Sequence, residues 1–183
     1  MSVASTATVA PTARVSGNAQ VLDSAQVFGD AQVSGNAQVL DSAQVSGDAW
    51  VSGYAQVSGN ARVLDSARVS GNARVFGSAR VSGNAQVFGS AQVSGDALLQ
   101  GDALIKSSAD FIVIGPAISS GRYTTAHVDS VIGIRVNCGC FSGTVSQFSR
   151  QISSTHESNP AALAQYRAFV SLIKAHFKAR DRL

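Results

Sequence analysis

The fold class predicted by this 183-residue sequence is an all-β solenoid followed by a small α+β domain, and three observations carry the prediction. A six-residue unit follows itself sixteen times without a break from Ala13 to Ser108, as in ARVSGN, AQVLDS and AQVFGD. Each unit has the pattern of one short strand and one corner. After Ser108 the repeat stops and the composition shifts, so the domains are expected at 1–108 and 109–183. A short fixed period of this kind is the mark of stacked repeats.

Within each unit AxVy, alanine and valine alternate with x and y, as in a half-buried strand. The last two residues are Gly-Asn, Gly-Asp, Gly-Ser or Asp-Ser, turn formers that tolerate unusual backbone angles. Identical corners bend the chain the same way each time, so it winds into a coil. Three hexads, about 18 residues, close a triangular coil, and coils stack as parallel strands about 4.8 Å apart. Ala7 to Thr12 keeps the register, and Met1 to Thr6 keeps it loosely through Val3.

The pairs Val15/Ala19, Val21/Ala25 and Val27/Ala31, continuing to Val93/Ala97, place an aliphatic residue four positions before a small one. In this the run resembles the hexapeptide-repeat, left-handed parallel β-helix family. The resemblance implies left-handed coils and a homo-oligomer, a trimer first and a dimer next. One departure is that Ser, Leu or Phe follows the valine here, with glycine one position later. Many relatives are acyltransferases with a histidine on or near the coils, loops that break the repeat and a groove between protomers. Residues 1–108 hold no histidine and no such loop, so the general base is missing where the resemblance would put it. The expected function is a non-catalytic scaffold that binds a macromolecular partner, with no cofactor. The alternative is an atypical acyltransferase acting at a subunit groove.

Stacking every eighteenth residue sorts the outward side chains onto three faces. The first carries Arg14, Gln32, Trp50, Arg68 and Gln86; the second carries Gln20, Gln38, Gln56, Arg74 and Gln92. The third carries Gln26, Gln44, Arg62, Arg80 and Leu98. On the second face Leu22, Leu40 and Phe76 follow the valines as an apolar stripe. Such a stripe marks either an association surface or side chains half-tucked at the corner. Trp50 and Tyr54 break the pattern in one hexad, AWVSGY, where nothing in the coil asks for them. Rigidly held aromatics suit partner binding, although they could also cover a corner or join a self-association contact. Arg68 should lie one coil above Trp50, close enough to stack on the indole.

Arg62, Arg68, Arg74 and Arg80 occupy consecutive x positions and are the remaining partner-binding candidates. Six basic residues in 1–108 face seven aspartates, however. A nucleic-acid surface is normally a concentrated basic field, so this balance argues against one and favours a protein partner. No apolar run is long enough to span a bilayer.

Past Ser108, FIVIGP, RYTTAHV and VIGIRV read as three short strands between Gly, Ser and Pro turns. A helix is expected within CGCFSGTVSQFSRQISSTH, with Val145, Phe148 and Ile152 on one side. Asn159 as N-cap and Pro160 at the first position start a second helix. Its apolar residues Leu163, Tyr166, Phe169, Val170, Ile173 and Phe177 recur at helical spacing, and Lys174 to Arg182 is basic. The first, second, third and fifth of these were expected at an oligomer interface with Leu22, Leu40 and Phe76. A solenoid must hide its last coil, which gives the segment a job as a cap. IGPAISSGRYTTAH, CGCF and the later THE also resemble a C-terminal segment of phage and prophage proteins of unassigned role. That resemblance implies phage origin and says nothing of chemistry.

Cys138 and Cys140 sit in Cys-Gly-Cys, where a disulfide would close a strained ring. With no secretory signal ahead of the repeat, reduced thiols in a bacterial host cytoplasm fit better. Cys138, Cys140 and His156 are weak metal candidates, since a structural zinc site needs four N or S ligands and the spacing matches no standard finger. No metal is expected.

Overall fold

The computed structural model describes residues 1–179, and Arg180 and Arg182 of the expected basic tail lie outside them. The chain divides into two compact units, Met1–Asp110 and Phe111–Leu183.

The first unit is a parallel β-solenoid of about six coils. Each hexad contributes a two-residue strand, from β1 (Ser2–Val3) to β18 (Leu104–Ile105). The strands sort into three parallel sheets of six, every strand paired with the one eighteen residues away. These sheets are the three faces read from the sequence. The loosely matching start of the chain also forms one side of a coil, with Ser2 and Val3 paired to Gln20 and Val21. Valines from Val21 to Val93 and alanines from Ala19 to Ala91 are wholly buried, so the period-two alternation does separate core from solvent.

The corners explain why two residue types alternate there. In most hexads the fifth residue is a glycine at positive φ. The three Leu-Asp-Ser corners instead hold Asp23, Asp41 and Asp65 at φ 57, 60 and 58. Aspartate tolerates this left-handed region because its short side chain can hydrogen-bond locally. Here Asp41 Oδ2 accepts from the Gly59 amide at 2.8 Å and Asp65 Oδ2 from the Gly83 amide at 2.9 Å, tying each corner to the next coil. On the second face the glutamine amides form a parallel ladder: Gln38 Nε2 donates to Gln20 at 3.1 Å and Gln56 Nε2 to Gln38 at 3.0 Å. After β18 a short 3₁₀ turn, Ser108–Asp110, ends the unit. Asp110 Oδ2 accepts from the amides of Lys106 and Ser107 at 2.8 and 2.9 Å.

The second unit has an antiparallel sheet and two helices. The sheet order is β19 (Phe111–Ile114), β20 (Thr124–Asp129), β21 (Gly133–Cys138) and β22 (Phe141–Thr144). Three of these strands were expected and β22 was not, because Phe-Ser-Gly-Thr lacks apolar alternation. What creates it is the Gly139-Cys140 turn, with Gly139 at φ 58 and Cys138 paired to Phe141 across it. Gly-X is a favoured two-residue hairpin connection. The first helix consequently starts late, as α1 (Val145–Thr155). A capping box fixes its start: Thr144 Oγ1 accepts from the Gln147 amide at 3.2 Å, and Gln147 Oε1 from the Thr144 amide at 2.8 Å. The second helix, α2 (Pro160–Lys178), begins as expected, with Asn159 Oδ1 accepting from the Ala162 amide at 3.0 Å.

Val145, Phe148 and Ile152 of α1 pack with Tyr166, Phe169, Val170, Ile173 and Phe177 of α2 on Ala126, Ile134 and Val136 of the sheet. The face of α2 expected at an oligomer interface is therefore inside the unit's own core. Tyr166, Phe169 and Ile173 are buried and Leu163 packs beside them. The helix period identified the apolar stripe, while its partner turned out to be the chain itself.

One face of β20 and β21 carries a buried polar set: Thr125, His127, Asp129 and Asn137. Asp129 Oδ1 accepts from the amides of Val131 and Ile132 at 2.9 and 3.0 Å, and Oδ2 from Arg135 Nε at 2.6 Å. Burial alone would raise the Asp129 carboxyl, but the Arg135 and amide hydrogen bonds outweigh it and hold the group below the usual carboxylate range. His127 lies 3.0 Å from the Val128 carbonyl through Nδ1 and 3.1 Å from Asn137 Nδ2 through Nε2. Burial pushes its pKa down to about 4, so the imidazole is neutral.

Candidate functional site

Two places in the molecule gather side chains that the fold itself does not require. One lies on the first face of the solenoid. Because strands stack in register, Trp50 has Gln32 on one side and Arg68 on the other. The Arg68 guanidinium carbon is 5.8 Å from the indole centroid, a cation–π distance and the neighbour relation expected. Trp50 Nε1 donates to Ser34 Oγ at 3.2 Å, which orients the ring. The indole remains 43% exposed and Tyr54, at the following corner, 66% exposed. Two coils further on, Phe88 carries the Lys106 ammonium 5.9 Å from its ring. Trp50 and Phe88 thus flank a depression of about 360 Å³ floored by Ser52, Ser70, Arg68 and Gln86.

The four candidate arginines are all exposed but do not form one patch. Arg62 and Arg80 are register partners on the third face, Arg74 is on the second face, and Arg68 alone joins the aromatic site. Of the second-face stripe, Leu22 and Leu40 are half-buried at their corners and Phe76 is 37% exposed.

The other place is in the second unit. Residues remote in sequence converge on a cleft of about 310 Å³ between the β21–β22 hairpin and the two helices. Cys138, Cys140 and His156, weighed as metal ligands, all line it. Both cysteines are free thiols. Among the described residues, however, no three His, Cys, Asp or Glu side chains come together to hold a metal ion. His156 instead stacks on Tyr166, with centroids 4.9 Å apart and planes 15° apart. Phe141 and Phe148 continue the aromatic wall at 5.2 Å from each other. Tyr166 Oη shares a 3.0 Å hydrogen bond with Ser120 Oγ. Burial raises the Tyr166 hydroxyl above the ordinary phenol range; the Ser120 bond opposes this and Cys138 adds to it.

Arg122, which the sequence did not single out, stands at this cleft. Its loop is closed by the Ala117 amide donating to the Arg122 carbonyl at 2.8 Å and the Arg122 amide to Ser120 Oγ at 3.3 Å. The side chain lies over the hairpin turn: a Cβ on Gly139 would sit 3.0 Å from its guanidinium. No local pattern could have brought Arg122, Cys140 and His156 together, because each belongs to a different element.

Residues 31–47, 55–69, 67–83 and 79–95 match the family model described as YdcK Beta solenoid repeat. The matches pass over residues 48–54, the segment that holds Trp50 and Tyr54. No curated protein and no solved structure matches the chain. The repeat matches and the three in-register parallel sheets together fit a repeat-built β-helix for the N-terminal unit.

Proposed function

We propose that this chain is a non-catalytic β-solenoid scaffold that holds a protein partner on its first face, at Trp50, Tyr54 and Arg68. The observation that carries the reading is the exposure of two large aromatics in a hexad that departs from the repeat and falls in the gap between the family matches. Aromatic anchors beside a cation on a rigid support bury much area for little lost side-chain entropy. The solenoid runs through eighteen strands with no inserted loop, and its hexads contain no histidine. That supports a scaffold over the acyltransferase alternative, which would require acetyl-coenzyme A to bind. The resemblance of the C-terminal segment supports phage or prophage origin, as a structural protein or an inhibitor of a host factor in the bacterial cytoplasm. No described helix is long and apolar enough to cross a membrane.

The test is the double change Trp50→Gln, Tyr54→Asn, which restores the repeat consensus. Capture from a bacterial lysate by the wild-type protein should yield a specific partner that the double variant loses at unchanged thermal stability. Equal capture by both would remove the aromatics from the reading. We propose self-association through the second-face stripe around Phe76, for which light scattering should return a multiple of 18.8 kDa. A clean monomer at micromolar concentration refutes it.

A further inference from the structure

The cleft of the second unit combines features that the solenoid reading does not use. Its walls are aromatic, from Phe141, Phe148, Tyr166 and His156, and one side carries the guanidinium of Arg122. Among the described residues Arg122 has no carboxylate within ion-pair distance; Asp129 of this unit is paired with Arg135. The remaining described carboxylate of the unit, Glu157, is exposed one residue past His156 and makes no ion pair with Arg122. The guanidinium lies close over Gly139, where an added Cβ would sit 3.0 Å from it and press the arginine to shift. Ser120 and Tyr166 add hydroxyls, and Cys138 and Cys140 add polarisable sulfur. A volume of about 310 Å³ lies at the lower end of small-molecule pockets and is too small for a folded partner.

We propose that this cleft binds a small anion with a planar ring, its charge on Arg122 and its ring against Phe141 and His156. An unpaired guanidinium beside an aromatic wall is complementary to such a ligand on both counts: it offers a forked donor to a phosphate or carboxylate and ring faces for stacking. The proposal is independent of partner binding on the solenoid.

The experiment titrates the full-length protein with phenyl phosphate and with benzoate, following the amides of Gly139, Cys140 and His156 by NMR. Inorganic phosphate and benzyl alcohol serve as probes of charge without ring and ring without charge. Saturable binding of at least one ring-bearing anion is expected, with both comparison probes weaker. Arg122→Gln should weaken it about tenfold, the usual scale for losing a hydrogen bond to a charged group, and Arg122→Lys should fall between. A preference for phenyl phosphate assigns a phosphate head, and one for benzoate a carboxylate. In the wild-type protein the bound anion should also slow alkylation of Cys140 by iodoacetamide, read by mass spectrometry. The proposal is overturned if neither anion saturates, if Arg122→Gln leaves affinity unchanged, if either comparison probe binds as tightly, or if Cys140 is unprotected.

Discussion

Replacing Val57 by aspartate tests the inside-outside assignment on which the solenoid rests. Val57 has no exposed surface and sits in register between Val39 and Val75 of the neighbouring coils. Removing the valine forfeits about 1.5–3 kcal/mol of apolar burial. The carboxyl that replaces it has no partner in a core of valine and alanine, and even when protonated costs about 1–3 kcal/mol. The sum, about 2.5–6 kcal/mol, is a large part of the 5–15 kcal/mol that typically holds a domain together. Each coil contacts only its neighbours, so the loss in the middle also weakens the coupling of the two ends. At about 4 °C per kcal/mol for a unit of this size, the thermal midpoint should fall by roughly 10 °C or more. The assay is a circular-dichroism melt of the full chain at neutral pH. Gln56→Asp is the control, since Gln56 is on the outer face and loses only its 3.0 Å bond to Gln38, within about 1 kcal/mol. The penalty at Val57 should shrink as pH falls, because the folded state favours the protonated carboxyl more than the unfolded chain does. Equal midpoints for Val57→Asp and wild type, or a larger loss for Gln56→Asp, would refute the assignment.

Three further outcomes follow from the structure. The buried imidazole of His127 titrates at about 4 against 6.5 in the unfolded chain, because burial disfavours its charged form. Between these values the unfolded chain binds the extra proton, so stability is full above pH 6.5 and falls by about 3 kcal/mol as pH drops to 4. Urea titrations from pH 7.5 to 4.5 should show this slope in the second unit, and His127→Gln should flatten it; a slope equal in both proteins would contradict the reading. Asp129→Asn keeps an acceptor for the Val131 and Ile132 amides but loses the charge that holds Arg135 Nε at 2.6 Å. It should cost about 3 kcal/mol, as breaking a largely buried pair does, and a midpoint within about 4 °C of wild type, at most roughly 1 kcal/mol for a unit of this size, would show the pair to be idle. At Gly47, φ is +75 and a Cβ would meet the Asp65 carbonyl oxygen at 2.8 Å. Gly47→Ala should therefore destabilise the solenoid by at least about 1–2 kcal/mol of left-handed backbone strain, whereas an unchanged denaturation midpoint would mean that the corner can open.

Most of the solenoid was legible in the sequence because its tertiary contacts recur at one separation. A residue meets the one eighteen positions away, so Trp50 over Gln32 and under Arg68 could be read by counting. The alternation of Val and Ala with Gln and Arg marked the core for the same reason. In the second unit only local features were readable in the sequence, namely the Asn159-Pro160 helix start and the apolar stripe of α2. It did not show that β20 and α1 would receive that stripe, or that a glycine turn would make a strand of Phe141–Thr144. Nor did it show that Arg122, Cys140, His156 and Tyr166 would share a cleft. Those outcomes depend on how unlike elements pack together, and no fixed spacing along the chain encodes that choice.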